Sequence, residues 1–210
     1  KRHKNLRVDF ANEHFDDNWS FTIFIDESAF RLHSGKKHCY QQRGKPVKNQ
    51  KRKHPAKVHA CAAICGRGPV KLSLSTENMT AIRYHRILKT QIIPSAKDIY
   101  MERKFRVLQD KDPKHQAKII KQLLEDKNVD LIEDWPGCSP DLNPIEHVWK
   151  LIKEEVAKKS QQITTASHLK SRIRKAWNRI VDFELCSRIV GSMKNRLEQV
   201  IKNKGDRTKY

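Results

Sequence analysis

The sequence Phe21-Thr-Ile-Phe-Ile-Asp26 joins a run of aromatic and β-branched residues directly to an aspartate. Such a run predicts a buried strand, here ending at Asp26. The segment Lys104-Phe-Arg-Val-Leu-Gln-Asp110 has the same pattern and also ends in an aspartate. Ligands of open α/β sheets bind at the carboxyl ends of the strands, so the two carboxylates should converge if these strands are neighbours.

The rest of the chain predicts the order three strands, helix, strand, helix, strand, helix. Residues 29–33 are expected to return beside the first strand, and residues 58–65 and 70–75 to form a hairpin. This is the order of a ribonuclease-H-like α/β fold, a mixed five-stranded sheet with helices on both faces and a basic insertion after the second strand. The other predicted elements are helices at 79–93 (ended by Pro94), from near His115, at 144–158 and at 167–181, and a short strand at 129–132.

The chain is strongly basic, with 44 Lys and Arg against 24 Asp and Glu, a formal charge of +20. The charge is clustered, because residues 34–57 contain nine Lys or Arg and no acid, and residues 167–210 contain twelve against four acids. A surplus of this size indicates a polyanionic partner, and we predict a nucleic acid. The alternative is a solvated basic surface that binds nothing.

Composition also excludes several classes of protein. The sequence contains no run of 18 apolar residues and no apolar segment behind its basic start, so neither a membrane span nor a signal peptide is predicted. Its five cysteines are odd in number and scattered, which favours reduced thiols over disulfides or a zinc site. With 37% hydrophobic residues, residues 1–210 can form one ordinary α/β domain.

A third acid stands in the segment Asn143-Pro-Ile-Glu146. If Asn143 is the N-cap of a helix, Pro144 is its first residue and Glu146 its third, which is the spacing of a capping box. A lone aspartate at a strand end is likewise more often a turn residue than a ligand. Spacing alone therefore leaves a structural and a metal-binding interpretation open for all three acids.

Three segments of the sequence match the pattern of one protein family closely. Through these segments the chain resembles the transposases of the mariner superfamily over nearly its whole length. Within that superfamily it is most similar to the Sleeping Beauty subgroup. Residues 204–210 are similar to the closing segment of that family. The three segments are Ile25-Asp-Glu-Ser28, Gln109-Asp-Lys-Asp-Pro-Lys-His115 and Trp135-Pro-Gly-Cys-Ser-Pro-Asp-Leu-Asn-Pro-Ile-Glu146.

The resemblance implies that Asp26, Asp110 and Glu146 are the catalytic acids and that they hold two Mg²⁺ ions, for which Mn²⁺ can substitute. It implies cleavage at transposon ends and transfer of the freed 3′-hydroxyl into target DNA at TA dinucleotides. A homodimer assembled on DNA and a nuclear location are expected as well. The helix-turn-helix domains that read the transposon ends in this family are expected to be absent from residues 1–210.

Two departures from the family pattern stand out. Thirty-five residues separate Asp110 from Glu146, where the subgroup usually has thirty-four, and the extra residue falls within 132–135. The glycine-rich strip that closes the family's insertion is replaced by Val58-His-Ala-Cys-Ala-Ala63. Neither departure removes a catalytic group, but the second leaves the shape of the insertion open.

The basic segment 34–57 occupies the place of the family's insertion that clamps a partner subunit. Phosphate contacts position DNA without reading its sequence, so little base selectivity is expected from this segment. His115 is expected either to contact DNA or, as we favour, to cap and pack its helix, and Asp141 to bond local backbone. The residues predicted to contact the DNA backbone are Lys36, Lys37, Arg43, Lys45, Lys48, Lys51, Arg52 and Lys53.

Two other functions share these features. A domesticated transposase would bind DNA without cutting it, but such a protein would have no use for three metal-binding acids. A ribonuclease acting on RNA–DNA hybrids would share the fold and the metals. The signature Pro140-Asp-Leu-Asn-Pro-Ile-Glu146 and the long basic insertion favour the transposase.

Overall fold

The computed structural model describes residues 2–31, 57–101, 103–158 and 163–210, and its centre is one mixed sheet. The strand order is β3-β2-β1-β4-β5, with β1 antiparallel to β2, β2 antiparallel to β3, and β4 parallel to both β1 and β5. The strands are β1 (Thr22–Arg31), β2 (Lys57–Cys65), β3 (Gly68–Ser75), β4 (Arg106–Leu108) and β5 (Asp130–Leu131).

Helices cover both faces of the sheet, as predicted. Alternation along β1 explains the two layers, because Phe24 packs into one core while Ile23 and Ile25 pack into the other. The core of Phe24 also contains residues of α1, α5, α6, α7 and α8, whereas the opposite core contains residues of α2, α3 and α4. The helices are α1 (Arg2–Glu13), α2 (Ala81–Ile87), α3 (Ile93–Tyr100), α4 (Lys118–Asp126), α5 (Pro144–Ala157), α6 (Ala166–Ile180), α7 (Phe183–Gly191) and α8 (Met193–Lys202).

The first strand is longer than predicted. It does not end at Asp26 but continues to Arg31, and Asp26 pairs with Ala62 of β2. Residues 29–31 therefore extend β1 and do not return beside it. The basic segment accordingly follows the first strand of the described sheet, and its predicted place after the second strand is wrong. An acid after an apolar run is typical of a strand end, but here the pairing of Asp26 with β2 keeps the backbone extended.

Pro94 does not end a helix either. Residues Leu88–Ile92 form a π-helical turn, and α3 starts directly after it with Pro94 in its first turn. The wider turn accommodates a residue that has no backbone N–H to donate, so the helical path continues to Tyr100. A local rearrangement of this kind cannot be read from apolar spacing.

The two ends of the described chain pack together through α1 and α8. Gly205, with φ of 82°, lies directly against the carbonyl oxygen of Lys4, and a side chain at this glycine would collide with that backbone. The helices α1, α7 and α8 were not predicted from the sequence. Among the described residues, no helix is both long and apolar enough to cross a membrane.

Candidate active site

The parallel pairing of β1 and β4 brings two of the predicted acids side by side. Phe24 is in register with Leu108, and each of these residues is followed two positions later by an aspartate. Asp26 lies within β1 and Asp110 lies beyond the end of β4, so the predicted convergence holds although Asp26 does not end its strand. The strand pairing alone thus places both acids at one edge of the sheet.

Helix α5 brings the third acid to the same place. Its buried residues Ile145, Val148 and Trp149 pack onto the sheet, which leaves Glu146 on the side of β1. The capping box is not formed, since the Asn143 side chain makes no cap hydrogen bond and its buried Oδ1 has no partner among the described atoms. The carboxyl group of Glu146 instead shares a hydrogen bond with that of Asp26.

Asp26 and Glu146 have the electrostatics of acids without a paired base. Burial, the charge of Glu146 and, to a lesser degree, that of Asp110 raise the pKa of Asp26 to about 7. Only neutral donors oppose this, namely the backbone N–H of Glu27 and the indole Nε1 of Trp149, 3.0 Å from Oδ2 of Asp26. Burial likewise raises the pKa of Glu146, against the opposing charge of Lys153.

The donor set fits a divalent cation. Two carboxyl groups can share a hydrogen bond only if one of them is protonated, so Asp26 and Glu146 together require a proton or a cation between them. Within the described residues, neither forms an ion pair with a lysine or an arginine. Carboxylate oxygens are the ligands that Mg²⁺ prefers, with substrate phosphates and waters completing its coordination.

Asp110 is held differently, by a buried histidine. Its Oδ1 lies 2.5 Å from Nδ1 of His115 and accepts a further hydrogen bond, at 3.0 Å, from the backbone N–H of Asp112. The His115 hydrogen bond is the main reason that the pKa of Asp110 is lowered. The same imidazole reaches Glu27 Oε1 at 3.1 Å through Nε2.

His115 therefore links Asp110 to Glu27, whose side chain lies on the opposite face of the sheet from that of Asp26. Burial lowers its pKa, but the hydrogen bonds to Asp110 and Glu27 outweigh burial and raise it to about 9. Its ring packs against that of Tyr84, with centroids 4.2 Å apart. The predicted packing role is therefore confirmed, but the capping role is wrong because α4 begins only at Lys118.

Asp141 was predicted to bond local backbone, and the structure gives it different partners. Both of its carboxylate oxygens accept hydrogen bonds from Arg7, at 2.9 and 2.7 Å, and Oδ2 accepts another from the backbone N–H of Thr208. The Arg7 side chain is 2% exposed and that of Asp141 6%. The expectation of local backbone bonding is wrong, because the partners lie 134 and 67 residues away.

Two groups that orient the acids, Trp149 and Glu27, were not predicted from the sequence. Glu27 is next to Asp26 in β1, and alternation along the strand sends its side chain to the opposite face, where it meets His115 and, at 2.9 Å, Nζ of Lys114. The predicted DNA-contacting residues between Lys36 and Lys53 lie outside the described residues.

Comparisons with known proteins agree with this geometry. The family model of the DDE superfamily endonucleases matches residues 22–170. The Tcb2 transposase of Caenorhabditis briggsae is 32% identical over 222 residues, covering the whole chain and 79% of that protein. The Tc3 transposase of Caenorhabditis elegans is 29% identical over 212 residues, covering 99% of this chain and 64% of that protein.

Solved structures support the fold. The Mos1 transposase in its paired-end complex with the left transposon end superposes with a TM-score of 0.78 at 20% identity, over 98% of this chain and 62% of that one. The catalytic domain of the Mos1 mariner transposase gives 0.74 at 18% identity, over 99% of this chain and 94% of that one. The chain thus spans less than two thirds of the Tc3 protein and of the Mos1 chain in its complex. The fold is the predicted ribonuclease-H-like fold, and the chain belongs to the DDE superfamily of endonucleases, among the mariner-type transposases.

Proposed function

We propose that this chain is the catalytic domain of a cut-and-paste transposase, which hydrolyses DNA at transposon ends and joins the freed 3′-hydroxyl to target DNA. The observation that carries the proposal is the cluster of Asp26, Asp110 and Glu146. Two of these acids share a hydrogen bond and form no ion pair with a basic side chain, which is costly unless a cation completes the cluster.

Asp26, Asp110 and Glu146 are the residues that would hold two divalent ions. Two such ions, when bound, activate the attacking oxygen and stabilise the leaving oxygen of an in-line displacement at phosphorus. Mg²⁺ is the expected ion and Mn²⁺ its substitute. Mos1 paired-end complexes have been solved with each of these metals.

The chain's own contribution is to fix the three carboxylates before DNA arrives. The Trp149 indole holds one oxygen of Asp26, and His115 holds one oxygen of Asp110. Packing of α5 onto the sheet fixes the third acid. Water is the first nucleophile and the DNA 3′-hydroxyl the second, so no side chain has to form a covalent intermediate.

The assembly of the active complex is part of the proposal. Mos1 forms a paired-end complex with transposon ends, and we propose that this protein pairs ends as a DNA-bound homodimer, with residues 34–57 contacting the partner subunit. The ends would be read by helix-turn-helix domains outside residues 1–210. Insertion at TA dinucleotides and action in the nucleus are further proposals from the family.

The test compares Glu146→Gln with Glu154→Gln, an exposed acid on the same helix. End cleavage in Mg²⁺ is measured with the intact protein encoded by the element and DNA carrying its own terminal repeats. DNA binding in Ca²⁺ confirms that the complexes form. Glu146→Gln should bind normally and lose cleavage by orders of magnitude, while Glu154→Gln should cut like the wild type.

Two results would contradict the proposal. Cleavage by Glu146→Gln at the wild-type rate would mean that the third ligand is misplaced. A wild-type protein that binds its ends and cuts neither them nor any other duplex would instead be a domesticated, non-cutting DNA-binding protein.

A further inference from the structure

The basic charge of residues 167–210 falls into two groups with different surroundings. The α6 helix contributes five of the twelve basic residues and contains no acid, since all four acids of this stretch follow it. The α8 helix and the tail contribute most of the others. The basic residues of α6 are Lys170, Arg172, Arg174, Lys175 and Arg179.

Two of the three basic residues of α8 have partners within the protein. Lys194 pairs with Asp16 at 2.8 Å, and the buried Arg196 donates to the backbone oxygen of Asp141 at 2.6 Å. The Arg196 guanidinium also lies over the ring of Tyr210, 4.2 Å from its centroid. Arg196 is buried and therefore not available to a polyanion, whereas the exposed Lys194 already has a carboxylate partner.

The charges of α6 have fewer such partners. Among the described residues, Arg179 pairs with Glu155 at 2.5 Å, whereas Lys170, Arg174 and Lys175 form no ion pair with an acid. Arg174 and Lys175 are exposed and Lys170 is half-buried. Lys170 and Arg174 are four residues apart, as are Lys175 and Arg179, and like charges at this spacing destabilise a helix. An external polyanion would remove this repulsion.

The inner face of α6 lies close to the catalytic acids. The ring of Trp177 is 6.4 Å from that of Trp149, and Trp149 donates its indole N–H to Asp26. Helix α6 packs against α5, which carries Glu146, and against β2 and β3. The outer face of α6 is therefore on the side of the sheet from which α5 presents its acid.

We propose that the outer face of α6, through Lys170, Arg174 and Lys175, binds the phosphate backbone of the duplex DNA that the active site cuts. The inference rests on the proposed function for the identity of the partner. The proposal assigns no base-reading role to α6, because lysine and arginine contacts to phosphate carry no sequence information. The α6 surface adds a DNA-binding area to the one predicted from the sequence at residues 34–57.

The test measures binding of a duplex DNA of arbitrary sequence by fluorescence anisotropy over a series of salt concentrations, in buffer with a metal chelator. The variant is Lys170→Gln/Arg174→Gln/Lys175→Gln. Its matched control is Lys89→Gln/Lys121→Gln/Lys127→Gln, which removes the same charge from exposed positions on the face of the sheet that α2 and α4 cover, where Lys89 and Lys127 line one groove. Thermal melting establishes that both variants fold.

The α6 variant should bind more weakly at every salt concentration, and its log–log salt slope should be shallower by about 0.9 for each phosphate that the variant no longer neutralises. The control should keep the wild-type slope. Equal weakening of both variants, or an unchanged α6 variant, would overturn the proposal. So would an α6 variant that loses affinity for an RNA hairpin but not for duplex DNA. Because no cleavage is measured, these outcomes are independent of whether the active site cuts.

Discussion

Asp141 and Glu146 are five residues apart in one segment, yet their surroundings are opposite. The Asp141 carboxylate accepts hydrogen bonds from both terminal nitrogens of Arg7 and from the backbone N–H of Thr208. Burial raises the pKa of Asp141, but these partners outweigh burial and lower it. Glu146 faces another acid, and burial raises its pKa. The first carboxylate is stabilised in its charged form and the second is not.

The difference distinguishes an acid whose charge serves the fold from one whose charge the fold does not neutralise. A buried charge with its counter-charge in place contributes to the fold, and removing either member is costly. A half-buried charge such as that of Glu146, which forms no ion pair and faces other acids, lowers stability in the metal-free protein. Such a cost is expected where the site must bind a cation or a reacting group.

The largest effect that this comparison predicts is a change in the stability of the protein when either acid is substituted. Asp141→Asn should lower the free energy of unfolding by about 3 kcal/mol, because it leaves the buried Arg7 guanidinium without its counter-charge. Glu146→Gln should leave stability unchanged or raise it, since it removes repulsion with Asp26. Chemical denaturation of the metal-free proteins measures both values.

A double variant sharpens this prediction. Arg7→Met/Asp141→Asn should be more stable than Asp141→Asn alone, because the unpaired charge is gone. If Asp141→Asn is as stable as the wild type, the ion pair is not structural.

The next effect concerns Asp26. Its pKa is raised in the folded protein, so the stability that its protonated form contributes is present below about pH 4 and lost as the pH rises through about 7. Between pH 4 and 8, the metal-free wild type should therefore lose about 2 kcal/mol relative to Asp26→Asn. Mg²⁺ or Mn²⁺ at pH 8 should restore the melting temperature of the wild type only. A metal-induced shift in Asp26→Asn equal to that of the wild type would contradict this.

His115 provides a pH dependence in a higher window. Its pKa is raised to about 9, so the stability from its charged form is fully present below about pH 6.5 and lost as the pH rises through 9. His115→Gln should therefore cost on the order of 1.5 kcal/mol at pH 6 and much less at pH 9.5. Urea denaturation in chelator at the two values measures the change. The exposed His168→Gln is the control and should show no such trend; a constant cost for His115→Gln would mean that only packing is lost.

The smallest expected effect on stability is at the basic segment. Neutralising Lys48, Lys51, Arg52 and Lys53 should change the free energy of unfolding by less than about 0.5 kcal/mol, as surface substitutions usually do. Assembly of the paired-end complex should nevertheless be impaired, because the segment is proposed to contact the partner subunit and DNA. Melting curves and gel shifts with transposon ends measure the two properties. Normal assembly would mean that the segment is only a solvated basic surface.

The active-site edge could be predicted well from the sequence because the information for it is local. An apolar run followed by an acid occurs twice, and parallel pairing of β1 with β4 is enough to bring Asp26 and Asp110 together. The third acid followed from the resemblance of its segment to the mariner family, since spacing could not separate ligand from cap. Its position on α5 then follows from the apolar stripe of that helix.

The parts that were missed depend on residues far apart in the chain. The partner of Asp141 is 134 residues away, and nothing in the neighbourhood of Asp141 distinguishes it from a turn-forming acid. The continuation of β1 past Asp26 depends on pairing with β2 across the basic segment. The bond from Trp149 to Asp26 joins residues on two elements, and apolar periodicity marks such a tryptophan only as core.

The packing of Lys4 against Gly205 also has a consequence for how the protein is made. Within this domain, α1 leaves the ribosome first. The buried hydrogen bonds of Arg7 cannot form until Asp141 and Gly205 have been synthesised. The apolar face of α1, with Phe10 and Ala11, therefore stays incompletely covered until α8 and the residues after it have been translated. Nascent or prematurely terminated chains would therefore leave Phe10 and Ala11 exposed to water.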